Sequence, residues 1–230
     1  DCELSRGLGD VYKRQTYTQP RTDKDIRVLR VADQRRVGRT TLHIGEVEVT
    51  TQVLGYQLRD RFSRKILANE TLDLPEQRLV TNAFWYVVDD DVIDKVVDTG
   101  RDPRGTLHAA EHAAIAMLPL FTICDRWDVG GVSTAHHVDT DGATVFVYDA
   151  YAGGAGIAEL GWEAGTKHLA ATLEAIDSCE CNDGCPSCVQ SPKCGNGNDP
   201  LDKAGAITLL RRILGPDSPA DAAVSYTHLT

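Results

Sequence analysis

The chain has 230 residues, 42% of them hydrophobic, and a formal net charge of −10, which fits a globular protein of one large or two small domains. No stretch approaches the roughly 20 apolar residues that span a bilayer, and no secretory signal opens the chain, so we expect a cytoplasmic protein with no membrane partner. The negative charge argues against a general nucleic-acid coat. However, residues 1–70 hold 14 Lys and Arg against 10 Asp and Glu, so we expect any phosphate-binding surface in that part.

The two ends of the chain lack an apolar period. We expect residues 1–15 to be a non-native leader and residues 216–230 to be a tail that is non-native at its end. Both are therefore excluded from the reasoning about the fold.

Residues 16–88 show the period-2 alternation that is typical of β-strands. Gly45 is predicted to be a turn or bulge between two of these strands. We expect a small antiparallel sheet or barrel that forms a connecting region. The predicted strands cover residues 26–31, 41–44, 47–53, 56–58, 65–67 and 79–88.

Residues 89–215 are predicted to form a second domain, in which helices and strands alternate. Thr106 is the expected cap of an Ala-rich helix that should be buried, because it is apolar nearly all round. Gly161 and Gly165 are expected to interrupt a later helix. The predicted helices cover residues 92–97, 107–118, 157–176 and 201–214, and the predicted strands cover 132–136 and 143–148.

Five of the seven cysteines fall within residues 179–194, with the spacing C-x-C-x3-C-x2-C-x5-C. Four thiolates on a tetrahedral zinc ion are the simplest chemistry that this cluster supports, and the absence of a secretory signal argues against disulfides. Four of the five bind a closed, structural zinc in this interpretation, and Cys194 is the preferred spare thiol. The candidate ligands are Cys179, Cys181, Cys185, Cys188 and Cys194.

The predicted fold class is α+β: a small antiparallel β-rich region, then an α/β domain ending in a four-cysteine zinc knuckle and a helix.

The pattern H-x-x-E-H occurs at His108, Glu111 and His112, with the two histidines on one helical face. No clear third metal ligand follows it in the sequence. We therefore expect these residues to form a polar network with Asp149, and we keep a metallohydrolase as the alternative. A glycine-rich turn at residues 153–156 follows Asp149; it is a weak candidate for a phosphate cradle, and close backbone packing is the preferred interpretation.

Three segments, in this order, resemble one known family: Leu107-His-Ala-Ala-Glu-His112, Tyr148-Asp-Ala-Tyr-Ala-Gly-Gly-Ala-Gly156, and the cysteine segment with its continuation to Lys203. They are similar to the carboxyl-terminal zinc-binding domain of the MrfA-type (mitomycin repair factor) helicases of superfamily 2, the DEAD/DEAH-box class. The resemblance implies a parent protein that is an ATP-dependent 3′–5′ DNA helicase in DNA repair, with this chain as its accessory domain.

The resemblance also implies the partners, which are the motor domains of the same parent chain and DNA, expected to be single-stranded. ATP and Mg2+ belong to those motor domains, because no G-x-x-x-x-G-K-[ST] motif occurs in these 230 residues. Arg35, Arg36 and Arg39 are the candidate contacts to DNA phosphate. An acidic protein-interaction module is a further alternative, suggested by the charge of the second half.

Overall fold

A computed structural model describes residues 15–215 of the chain. The predicted non-native ends therefore lie outside the described residues, except for Gln15. The described part contains six strands and four α-helices. The strands are β1 (Thr16–Val37), β2 (Thr40–Asp60), β3 (Ile66–Thr71), β4 (Gln77–Val88), β5 (Val129–His137) and β6 (Gly142–Asp149). The helices are α1 (Asp90–Asp98), α2 (Pro103–Met117), α3 (Ile157–Asp177) and α4 (Lys203–Leu214), with a short 3₁₀ turn at Leu118–Leu120.

The chain divides into two compact units. Within the described residues, the first unit comprises 15–24 and 50–78, and the second comprises 25–49 and 79–215. In the first unit, β3 pairs antiparallel with the second half of β2, from Gly55 opposite Thr71 to Arg59 opposite Ile66. The paired segments overlap two of the predicted strands, 56–58 and 65–67. The predicted boundary after residue 88 stays a prediction.

In the second unit, the strand order is β1-β2-β4-β6-β5, and β6 pairs antiparallel with both β4 and β5. All eight residues of β6 are buried, which agrees with its place between two neighbouring strands, β4 and β5. The prediction of a mixed α and β fold with an antiparallel sheet and a carboxyl-terminal helix is confirmed.

Gly45 lies inside β2, so of the two predicted alternatives the turn is wrong, and the bulge stays a prediction. A Cβ atom at this position would lie 2.0 Å from the carbonyl oxygen of Arg30 on β1. A side chain would collide with β1 at this position. Glycine therefore allows the two strand backbones to approach closely, and the strand continues through it.

The core of the second unit lies on both faces of the sheet. Phe84 on β4 packs in one apolar cluster and its neighbour Trp85 packs in the other, because successive side chains of a strand point to opposite faces. Helix α2 packs against β5, α3 and α4, and most of its residues are buried, as predicted for a central helix.

Helix α2 starts three residues before the expected Thr106 cap. Its N-cap is Asp102, whose carboxylate accepts a hydrogen bond from the backbone N–H of Arg104 at 3.0 Å, and Pro103 occupies the first helical position. Aspartate at the cap and proline at the first position are both favoured at helix starts, and this local chemistry places the true boundary. Helix α3 is kinked at Gly165, where φ is 44° and ψ is −113°. Gly165 is one of the two glycines that were predicted to interrupt this helix.

Candidate metal centres

Four cysteines meet just after helix α3 ends. The Sγ atom of Cys179 lies 3.6 Å from that of Cys181 and 3.5 Å from that of Cys185. The Sγ atom of Cys188 lies 3.5 Å from that of Cys181 and 3.8 Å from that of Cys185. All four sulfur atoms lie within 4.8 Å of one another.

These sulfur separations match the requirement of a zinc ion. A zinc–sulfur bond is about 2.3 Å long, so two sulfurs at adjacent corners of a tetrahedron lie roughly 3.8 Å apart. The four printed separations, 3.5 to 3.8 Å, are close to that edge length. The residues present therefore fit a closed four-thiolate zinc site.

Backbone and side-chain donors surround the four sulfurs. The backbone N–H of Cys185 donates to the Sγ atom of Cys188 at 3.3 Å, which fixes the Cys-Pro-Ser-Cys turn. Backbone hydrogen bonding at Ser187, together with the neighbouring thiols, lowers the pKa of Cys185, whereas burial raises the pKa of Cys188. A thiol with a depressed pKa is ready to bind a metal ion as the thiolate.

Lys203, the first residue of α4, was not expected at this site. Its ammonium group donates to the backbone oxygen of Cys181 at 2.6 Å and to the Sγ atom of Cys181 at 3.5 Å. Burial by itself lowers the pKa of Lys203, but the hydrogen bond to Cys181 and the nearby cysteine charges raise it overall. A cation here offsets the negative charge of four thiolates, and no signal in the sequence pattern singled it out.

Cys194 lies apart from this group, beside the two histidines of α2. Its Sγ atom is 3.4 Å from the Nε2 atom of His108, and the ligand atoms of His108, His112 and Cys194 lie within 4.8 Å of one another. The sequence had offered no third ligand to accompany the histidine pair. The signal that could have found it is the fifth cysteine itself, which exceeds the four that a tetrahedral site takes.

The other two residues of the predicted polar network, Glu111 and Asp149, are not among the clustered ligand atoms, and the network stays a prediction. The carboxylate of Glu111 accepts a hydrogen bond from the hydroxyl of Ser133 on β5 at 2.6 Å. Asp149 ends β6 and is fully buried. Its carboxylate accepts hydrogen bonds from the backbone N–H groups of Ala155, Ile157 at 3.3 Å and Ala158 at 2.8 Å.

Asp149 therefore caps helix α3. The N-cap residue itself is Gly156, which has no side chain and a left-handed φ of 84°, so the carboxylate arrives from the preceding strand instead. A phosphate cradle would need these same N–H groups to be available. The chain's own carboxylate occupies them, so the turn is a capping structure.

The three arginines predicted to contact DNA each have a partner within the protein. Arg36 makes two hydrogen bonds to the carboxylate of Asp89, at 2.6 and 2.7 Å, and Arg39 pairs with Asp91. Arg35 donates to backbone oxygens of α3 and lies over the ring of Trp162, 4.6 Å from its centre.

Comparisons with known proteins place these features in a family. A family model described as the MrfA Zn-binding domain matches residues 110–189, which include the four clustered cysteines. The chain is 41% identical over 111 residues to "Uncharacterized protein MJ1572.1" of Methanocaldococcus jannaschii, and covers 99% of that protein with 47% of its own length.

Two helicases are also similar to the chain. It is 30% identical over 176 residues to "Uncharacterized ATP-dependent helicase YprA" of Bacillus subtilis, covering 75% of this chain and 23% of the helicase. A solved structure, "Crystal Structure of DUF1998 helicase MrfA bound to DNA", matches with a TM-score of 0.59 and 25% identity, covering 86% of this chain and 26% of that one. The chain thus spans about a quarter of the length of the helicases that it matches.

The fold and the four-cysteine cluster define a zinc-binding domain. The chain belongs to the MrfA zinc-binding domain family, so the resemblance drawn from its sequence is confirmed. Among residues 15–215, no helix is both long enough and apolar enough to cross a membrane.

Proposed function

We propose that this chain is the accessory zinc-binding part of an ATP-dependent 3′–5′ DNA helicase of superfamily 2 that acts in DNA repair. The observation that carries the proposal is its similarity to about a quarter of two helicases, one of them solved with DNA. ATP and Mg2+ then belong to the motor domains of the parent chain. The reduced thiols fit a cytoplasmic location.

The reading frame before residue 16 tests this proposal directly. We expect it to encode two motor domains with a G-x-x-x-x-G-K-[ST] motif. A frame that opens on an unrelated domain, or on an initiator methionine close to residue 16, would contradict the helicase proposal while leaving the zinc site untouched.

Within this proposal, Cys179, Cys181, Cys185 and Cys188 are the zinc ligands, and Cys194 does not take part. The closed site has no open position for water, so its role is to hold the segment between α3 and α4 in place. Because metal affinity becomes folding energy, the ion would keep this surface rigid where it braces the motor.

The chain would also help to guide single-stranded DNA. An open cleft is lined by Arg35, Arg36 and the exposed Lys167, with Glu163 as its acidic member. Arg36 and Arg39 are paired with aspartates, but their side chains remain 56% and 54% exposed, so phosphate oxygens can approach them. The supporting contacts are electrostatic and are therefore expected to depend on salt.

A fluorescence-anisotropy titration of labelled single-stranded DNA at several salt concentrations tests the guiding role. Arg39→Ala should weaken binding and lower the slope of log affinity against log salt by about 0.7, the value for one phosphate contact. Arg104→Ala is the matched control, because Arg104 is also exposed and also pairs with an aspartate, Asp102. Equal binding by both variants, or binding independent of salt, would remove the DNA contact from the proposal.

A metallohydrolase is the second candidate function, and the structure supports it less well than the accessory domain. The carboxylate that would act on a bound water is Glu111, which is 7% exposed and already bonded to Ser133. Hydrolysis of model peptides and esters, measured in the zinc-loaded wild type and in Glu111→Gln, distinguishes the accessory domain from the metallohydrolase. Activity that disappears in Glu111→Gln would favour the hydrolase.

A further inference from the structure

The pair of histidines on α2 and the fifth cysteine form a group that is independent of the four-cysteine site. His108 and His112 are four residues apart, so both project from one face of the helix, with ring centres 4.3 Å apart. Cys194 reaches them from the segment between the zinc knuckle and α4. Imidazole nitrogen and thiolate sulfur are the donors that zinc binds most often in proteins.

Both histidines are oriented by hydrogen bonds on their far nitrogen. The Nδ1 atom of His108 lies 2.8 Å from the backbone oxygen of Pro200, and that of His112 lies 2.8 Å from the backbone oxygen of Val189. A carbonyl oxygen can only accept, so each Nδ1 carries a proton, and in the neutral imidazole ring each Nε2 keeps its lone pair. This arrangement is typical of metal-binding histidines, in which a backbone carbonyl fixes the tautomer and raises the basicity of the ligand nitrogen.

The one direct separation between donors fits a shared metal ion. With a zinc–sulfur bond of about 2.3 Å and a zinc–nitrogen bond of about 2.0–2.1 Å, a tetrahedral ion holds sulfur and nitrogen roughly 3.5 Å apart. The Sγ atom of Cys194 and the Nε2 atom of His108 are 3.4 Å apart. The backbone N–H of Asn198 also donates to this sulfur at 3.2 Å, as it would to a bound thiolate.

We infer that His108, His112 and Cys194 bind a second zinc ion, with the fourth position open to water or an external ligand. The ion would join helix α2 to the segment that leads into α4. Two of the three ligands, His108 and Cys194, lie outside the residues that match the family model, 110–189. The inference does not depend on the proposed helicase function, since it rests on these contacts alone.

The competing explanation is a hydrogen-bonded cysteine–histidine pair without a metal. In that pair the thiol hydrogen of Cys194 lies between its Sγ atom and the Nε2 atom of His108, which are 3.4 Å apart, and no metal ion takes its place. Metal content distinguishes the two, because only the first explanation requires an ion.

Zinc counting by plasma mass spectrometry on the purified 230-residue chain tests the inference. We expect two zinc ions per chain in the wild type, and one in each of His108→Ala and Cys194→Ser. The matched controls are His136→Ala, an exposed histidine of β5, and Cys124→Ser, a cysteine outside both groups; both should keep two ions. Cys181→Ser should lose the other ion and keep this one.

A cobalt titration of the metal-free wild-type chain supplies a readout that does not depend on whether a variant folds. Saturation at two equivalents is expected, and the thiolate-to-cobalt absorption should grow about four times more for one equivalent than for the other, since the sites hold four thiolates and one. Saturation at a single equivalent, or one zinc ion in the wild type that survives His108→Ala, would overturn the second site and leave the hydrogen-bonded pair.

Discussion

The cap on helix α3 yields a prediction about stability that follows from one buried carboxylate. Asp149→Ala removes the carboxylate that accepts hydrogen bonds from the N–H groups of Ala155, Ile157 and Ala158. Asp149 is fully buried, so water cannot easily replace it. A buried donor left without a partner costs about 1–3 kcal/mol, and the two stronger of these three bonds therefore set an expected loss of roughly 2–6 kcal/mol.

Asp149→Asn is the matched variant for this prediction. It keeps the shape and one oxygen atom, but it turns an amide NH2 group toward at least one of the N–H donors and gives up the charge at the helix start, worth about 0.3–1 kcal/mol or more. We expect its loss of stability to fall between wild type and Asp149→Ala. A typical domain has only about 5–15 kcal/mol of stability, so the alanine variant should be visibly compromised.

Urea unfolding of the zinc-loaded chains, followed by tryptophan fluorescence and circular dichroism, measures these differences. Interpretation requires equal m-values, so that a shifted midpoint reports stability. A loss below about 1 kcal/mol in Asp149→Ala, or a larger loss in the asparagine variant than in the alanine variant, would refute the capping argument.

Three further predictions concern the metal, a buried histidine and the kink. Chelating the zinc, or replacing Cys188 by serine, should lower the thermal midpoint much more than Cys124→Ser, because metal affinity is part of the folding energy. Burial lowers the pKa of His168 from about 6.5 in the unfolded chain to about 4. The unfolded state therefore binds the extra proton first, and roughly 3 kcal/mol of stability should be lost as the pH falls from 6.5 to 4. Gly165→Ala should cost about 1–3 kcal/mol, because its φ of 44° is strained for alanine.

Each of these has its own control. A chelator that leaves the unfolding midpoint unchanged would argue against a structural zinc ion. His168→Gln should show a smaller loss of stability on acidification than wild type in the same metal state, and an equal loss would assign the pH dependence to other groups. Alanine at Gly100, whose positive φ lies at the end of α1 with open space around it, is the matched comparison for the backbone cost at Gly165.

Much of the local architecture follows from the sequence alone. Period-2 alternation marked the strands, and apolar residues nearly all round the helix marked α2 as buried, because these patterns record which side chains leave water. The spacing of the cysteines and the Cys-Pro-Ser-Cys turn indicated zinc, since donors close in the chain are close in space in any fold. Together with the Tyr148–Gly156 and Leu107–His112 segments, they also indicated the family.

The tertiary structure decided which residues meet across the chain. Cys194 lies only six residues beyond Cys188, yet its sulfur turns to His108, 86 positions earlier in the chain. Asp149 lies close to the glycine turn in sequence, but its role as a cap depends on the angle at which β6 leads into α3. Arg36 pairs with Asp89, 53 positions away. Local patterns report burial and propensity, whereas these pairings depend on how helices and strands pack, and distance along the chain carries no record of that.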